Sequence, residues 1–234
     1  MIKSNKLIFL LFYSFFILYA CTKQEKKNIS KNKNHIKKES LLQEKVLPQK
    51  KLDTLNNKNV VSFLTEYGKQ NSETKIRLET RLGNITIKLY KDTPLHRASF
   101  IFLTKIGYFN TTCFHRVVPN FIVQGGNSEN AKTAQIRNKY KHYLIPPEFK
   151  KNHKHKRGAL AIARDWENNP QKLSMPFEFY FIQNKKGEHH LNNEHTVFGE
   201  VIEGMSVIDK IIQQETDRDE WPYVDVNITT FIIE

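Results

Sequence analysis

Residues 76–234 predict a mainly-β fold, a closed antiparallel barrel with helices capping it. Three observations carry that expectation. Short strand-like runs recur along the segment, only two stretches read as substantial helices, and the first and last runs both read as strands. Closing the sheet on itself would also remove the unpaired edges through which strands of neighbouring molecules pair. About 160 residues is enough chain to bury one core of this kind.

The chain opens with "MIKSNKLIFLLFYSFFILYAC", in which Lys3 and Lys6 precede an apolar run over 7–20 and then Cys21. That run is about 14 residues, short of the roughly 18–20 a spanning helix needs, and residues 1–21 have the layout of a secretory signal. The ending "LYAC" resembles a bacterial lipobox, which implies lipidation of Cys21, a lipid anchor in a membrane and a place in the cell envelope. An ordinary signal peptide cleaved after Ala20 is the alternative. Of the two cysteines only Cys113 would then remain as a thiol. No internal disulfide is expected, and Cys113, ahead of an apolar run, reads as a small buried hydrophobe.

Residues 22–72 come next. The formal net charge is +13, but residues 22–75 carry about +7 of it and residues 76–234 only about +4. "KQEKKNISKNKNHIKKES" is rich in Lys and Asn and poor in aromatics, so it buries too little apolar surface to offset its chain entropy. A flexible tether is expected over 22–72. Its lysines suit anionic headgroups beside a membrane anchor; a genome-wide Lys/Asn/Ile bias accounts for them equally well. No nucleic-acid recognition motif is present, so nucleic acid is not an expected partner.

From residue 76 the texture alternates. "KIRLETRLGNITIKLY" reads as a hairpin with Gly83 supplying a permissive turn. In "DTPLHRASFIFLTKIGYF", Thr93 suits an N-cap, Pro94 the first helical position and Gly107 the stop, with Leu95, Ala98, Phe102 and Ile106 at helical spacing. Strand-like runs follow at "CFHRVV", "FIVQGG", "GALAIAR", "FEFYFIQ" and "TVFGEVIE". A second amphipathic helix is expected over 206–213, and "VDVNITTFIIE" closes the chain as a last alternating strand. The Gly125–Gly126 pair marks a bend where no side chain fits. The histidines in "NHKHKR" and "EHHLNNEH" are irregularly spaced among lysines, which favours exposed loops over a metal site.

Four blocks, "FHRVVPNFIVQGGN" at 114–127, "RGALAIAR" at 157–164, "FEFYFIQ" at 177–183 and "HHLNNEHTVFGEVIEGM" at 189–205, resemble the cyclophilin peptidyl-prolyl cis-trans isomerases in order and spacing, over residues 75–234. The resemblance implies an eight-stranded barrel capped by two α-helices over 73–234, no cofactor and no metal, and proline-containing polypeptides as substrates. It implies Arg116 as the guanidinium that acts on the prolyl amide and Gln124 as the group that orients it. Phe121, Ile122, Tyr180, Leu191 and His195 would form the proline pocket, and the backbones of Ala163 and Arg164 would hold the peptide.

The residues explain why such chemistry needs no nucleophile. Amide resonance imposes a barrier of roughly 18–20 kcal/mol on the X–Pro bond. Twisting the bond pyramidalises the prolyl nitrogen and returns a lone pair to it, so a fixed guanidinium stabilises the twisted amide more than the planar one. Against the family's usual pattern, Arg164 stands for Asn and Glu178 for Gln; Glu178 would favour basic neighbours in the substrate or pair with Arg116 or Arg164. His190 stands for Trp, which implies weak cyclosporin binding, and "MPF" at 175–177 alters the groove. The expected function is therefore an envelope-anchored isomerase that helps exported proteins fold, monomeric by default. A cyclophilin-like peptide-binding or chaperone module with little turnover is the alternative; a basic structural lipoprotein would need no such pocket.

Overall fold

The computed structural model describes residues 55–140 and 143–234. The signal segment, Cys21 and residues 22–54 of the expected tether lie outside them. Eight strands form one sheet: β1 Lys75–Thr80, β2 Gly83–Leu89, β3 Cys113–Val117, β4 Ile122–Asn127, β5 Ala159–Ile162, β6 Phe179–Ile182, β7 Val197–Glu203 and β8 Thr229–Ile232. Their order is β3-β4-β6-β5-β7-β2-β1-β8, and every neighbouring pair is antiparallel. The expected strands are all present, trimmed by a residue or more at most ends.

The sheet curls into an open half-barrel and does not close. All four residues of β8 are spent on β1, and Thr230 N–H on this strand donates to Asn110 Oδ1 (2.8 Å). Only the chain before β8 reaches β3, through a Cys113–Asn227 bridge with two flanking bonds, Phe114 N–H to Val226 C=O (3.0 Å) and Ile228 N–H to Thr112 C=O (2.9 Å), and through Val117 N–H to Glu220 C=O (2.9 Å) further back. A single bridge is not a ladder, so the expectation of a closed barrel is corrected.

The described residues contain four α-helices where two were expected: α1 Val60–Gln70, α2 Pro94–Lys105, α3 Ala131–Tyr140 and α4 Met205–Ile212. Helices α2 and α4 are the expected pair. Helix α1 lies inside the stretch assigned to the tether, so that part is packed helix instead. Its Val60, Leu64 and Tyr67 recur at i, i+4 and i+7 and are buried. Phe63 and Tyr67 meet Phe102 of α2 edge-on at 5.7 and 5.5 Å between ring centres, and Arg97 of α2 donates to the carbonyls of Gly68 (3.0 Å) and Asn71 (2.8 Å) at the end of α1. Those carbonyls have no intrahelical partner, which is why a buried guanidinium fits there.

Thr93 occupies the N-cap of α2 and Pro94 its first turn, as expected, but the Thr93 side chain caps nothing. Glu148 does that work from a distant loop. Its carboxylate accepts from Leu95 N–H (3.2 Å) and His96 N–H (3.0 Å) and from the His96 ring (2.7 Å).

The period of two along the strands separates two apolar faces. Inward residues Val123, Leu160, Ile162, Phe179, Phe181 and Phe198 join the main core with Phe100, Phe109 and Phe114. Outward residues Ile122, Ala159, Ala161, Tyr180, Ile182 and Val197 form a second cluster with Leu191, against which Phe121 packs. This explains why β5 and β6 are buried on both sides. Gly126 (φ +101°) ends the site-bearing part of β4; a Cβ there would lie 2.1 Å from the Phe177 carbonyl, as the Gly-Gly pair suggested.

Candidate active site

Strand pairing builds the site on the outer face. Arg116 of β3 sits opposite Gln124 of β4, Gln124 opposite Tyr180 of β6, and Tyr180 opposite Ala161 of β5. One cross-strand row thus runs from a cation to an apolar floor. Phe121 is half-buried beside it, while Ile122, Tyr180 and Leu191 are buried in the second cluster. The sequence-predicted pocket residues are therefore brought together.

His195 stands against the Tyr180 ring, edge-on at 5.5 Å, and its Nδ1–H donates to Ile162 C=O (3.1 Å). Burial lowers its pKa to about 4, a shift that the Ile162 carbonyl opposes and the Arg164 charge assists. The ring is neutral near pH 7, as a pocket wall requires. His155 of "NHKHKR" is fully buried, so the expectation of an exposed loop is corrected for it; it stacks against the Tyr180 floor. Its Nδ1 lies 3.0 Å from Asn192 Oδ1 and its Nε2 3.2 Å from the Tyr180 hydroxyl. Since the Asn192 oxygen accepts, His155 carries its proton on Nδ1 and takes the Tyr180 O–H at Nε2. Burial holds this ring down to about 4 as well. His190 is exposed and stacks on Phe121 at 6.2 Å, at the rim.

Three sequence-based assignments are corrected. Gln124, though opposite Arg116, makes no hydrogen bond to it among the described residues; its Nε2–H donates to Glu178 Oε2 (2.9 Å). Glu178 pairs with neither Arg116 nor Arg164. Arg137 of α3 donates to its other oxygen, and His115 Nε2 lies 3.5 Å from Oε2. Burial raises the Glu178 pKa, but His115 and Arg137 outweigh it and bring the group down to about 2. A largely buried carboxylate needs a cation such as Arg137, and the Gln-to-Glu departure was the one sequence signal that a partner existed; nothing in the sequence of α3 pointed to Arg137. Finally, both backbone groups of Ala163 are used within the chain, its N–H by Glu178 C=O (2.9 Å) and its C=O by Met175 N–H (2.8 Å). The Arg164 backbone makes no hydrogen bond among the described residues.

The Arg164 side chain is bound by Glu194 and Trp166 at the edge of the pocket. It donates to Glu194 Oε2 and C=O (both 2.7 Å), and its guanidinium lies 4.2 Å from the Trp166 ring centre. Trp166 is exposed and meets His195 edge-on at 5.1 Å. Arg116 Nε–H donates to Glu220 Oε2 (2.6 Å), a partner 104 residues away that sequence reasoning missed. Cys113 is fully buried, and burial pushes its thiol up to about 12, which fits the inert role expected for it.

Comparison with known proteins assigns this architecture. A family profile described as cyclophilin type peptidyl-prolyl cis-trans isomerase/CLD matches residues 75–232. A peptidyl-prolyl cis-trans isomerase of Acinetobacter baylyi is 36% identical over 156 residues, spanning 62% of this chain and 75% of that one. Another, from Helicobacter pylori, is 36% identical over 140 residues, spanning 58% and 78%. The crystal structure of a cyclophilin type isomerase of Cryptosporidium parvum, determined in the presence of the dipeptide Ala-Pro, superposes with a TM-score of 0.57 at 22% identity, covering 68% of this chain and 99% of that one; it shows the fold. The eight-stranded antiparallel half-barrel is thus a shared fold. The chain belongs to the cyclophilin-type peptidyl-prolyl cis-trans isomerases and is an enzyme of that class.

Proposed function

We propose that the outer-face pocket turns X–Pro bonds in exported polypeptides, with Arg116 stabilising the twisted amide. The observation that carries this reading is the row Arg116–Gln124–Tyr180–Ala161, which sets a guanidinium at the edge of a buried apolar cluster. The proline ring enters the cluster between Phe121, Ile122, Leu191 and the neutral His195. The peptide backbone is held by the main chain of Arg164. As the bond twists, the prolyl nitrogen accepts from an Nη–H of Arg116, an interaction weaker in the planar ground state. Gln124, fixed on Glu178, contacts the peptide rather than orienting the arginine.

Cys21 would carry the lipid that anchors the chain in the cell envelope, where a monomer meets proline-containing polypeptides as they fold. Replacing Cys21 by Ser tests this half. The expected outcome is release of the chain from the membrane fraction; a variant that stays membrane-bound would remove the lipid anchor from the account.

One observation favours the binding-module alternative: Gln124 and the Ala163 backbone are already engaged within the chain. Affinity for an Ala-Pro peptide and its catalysed cis/trans exchange, measured on the same full-length protein, separate the two readings. Fast exchange supports the isomerase, and binding with exchange at the uncatalysed rate supports the module.

A further inference from the structure

The structure points to Glu220 as the positioning residue for Arg116, taking over the orienting task expected of Gln124; this inference rests on the isomerase reading above. The Arg116 Nε–H meets Glu220 Oε2 at 2.6 Å, a short charge-assisted bond. Gln124 is held by Glu178 instead. Arg116 Nη1 and Nη2 make no hydrogen bond among the described residues, so a clamp at Nε fixes the plane of the fork and leaves both outer nitrogens for the substrate.

The carboxylate is itself held by a stiff loop. Glu220 C=O accepts from Val117 N–H (2.9 Å), one residue beyond Arg116, so the side-chain bond and the backbone bond brace the same point of β3. Glu220 adopts φ +66°, a left-handed conformation that a non-glycine residue holds only when its surroundings impose it. Those surroundings are present. Asp217 Oδ1 accepts from Asp219 N–H (2.9 Å) and Trp221 N–H (3.0 Å), Asp217 and Trp221 are joined through the backbone (2.9 Å), and Thr216 bridges Pro222. The Trp221 ring packs at 5.6 Å from His115, the neighbour of Arg116.

Both side chains of the pair are substantially exposed, 38% for Arg116 and 40% for Glu220. Such a pair adds little to stability. Its effect is on geometry, where a displacement of about an ångström costs up to roughly a hundredfold in rate.

The test compares the full chain with its Glu220→Ala, Glu220→Gln and Arg116→Ala variants. Two readouts are used: catalysed exchange of an Ala-Pro peptide, and the Arg116 side-chain Nε–H signal in ¹⁵N-resolved NMR, assigned by its loss in Arg116→Ala. The expected result is a protected Nε–H signal in the parent that broadens or shifts in Glu220→Ala, with kcat down about tenfold and KM little changed. Glu220→Gln, which keeps an acceptor oxygen, restores most of both. An unprotected signal in the parent, or a Glu220→Ala variant with parental kcat, overturns the proposal. A parent that shows the protected signal yet gives no catalysed exchange would leave Glu220 as the clamp and refute the isomerase reading instead.

Discussion

Glu178 shows how one substitution is absorbed at the scale of a residue. Its carboxylate is largely buried, and Arg137, His115 and Gln124 together make that tolerable. Replacing it with Ala leaves the Arg137 guanidinium facing an empty site, and a broken buried pair typically costs about 3–5 kcal/mol; urea unfolding at neutral pH measures it. With a folded pKa of about 2 against an ordinary 4.5, the carboxylate stabilises the fold fully above pH 4.5 and loses that contribution as pH falls through about 2. Glu178→Gln should therefore flatten this part of the acid-stability curve. A slope identical to the parent's would mean the group is not held ionised. His155 and His195 act in an adjacent window. Both sit near 4 instead of 6.5, so the stability of their neutral forms is present above pH 6.5 and lost as pH falls through about 4. Turnover is expected to stay level from pH 8 to roughly 5.5 and to fall toward 4 as the pocket wall gains charge. A rate profile that breaks at the ordinary histidine value near 6.5 would contradict the neutral wall. The pocket residues were legible because their motifs are contiguous. Their polar partners were not, since Arg137 and Glu220 reach the site from elements 41 residues from Glu178 and 104 residues from Arg116.

At the scale of elements, local signals located α2, α4 and all the strands, and tertiary contacts decided the rest. Thr93 and Pro94 marked the start of α2 correctly, yet the first-turn amides of Leu95 and His96 are satisfied by Glu148, 53 and 52 residues further along the chain. Glu148→Ala is expected to cost about 1–2 kcal/mol, the range of a lost cap with a charge at a helix N-terminus. Thermal unfolding reads this directly, and Thr93→Ala serves as the contrast, expected to cost less because its side chain bonds only the Tyr90 carbonyl (3.3 Å). Equal losses would return the capping role to Thr93. Helix α1 carried its own signal in Val60, Leu64 and Tyr67, masked by the Lys/Asn-rich chain before it. Helix α3 had none: only Thr133 and Tyr140 of its ten residues are buried, so no apolar stripe announces it. Its value to the fold lies in Arg137.

At the scale of the whole molecule, a single sheet serves two apolar clusters, one inside the curl and one outside it under the pocket. The continuous apolar runs of β5 and β6 held this information in the sequence, because a strand solvated on one face alternates and these do not. Closure was not legible. Whether the last strand-like run meets β3 depends on where it leaves the ladder with β1, and residues 226–228 reach β3 through one bridge before β8 begins. In the proposed mechanism a guanidinium beside the outer cluster performs the rotation. The measurement that tests it most directly is catalysed cis/trans exchange of an Ala-Pro peptide by the full chain and by Arg116→Ala, with circular dichroism confirming that both fold. The prediction is acceleration by the parent and a loss of at least about tenfold in the variant. Equal acceleration by both proteins would contradict the claim, and the rotation would then have to be assigned to the pocket without its arginine.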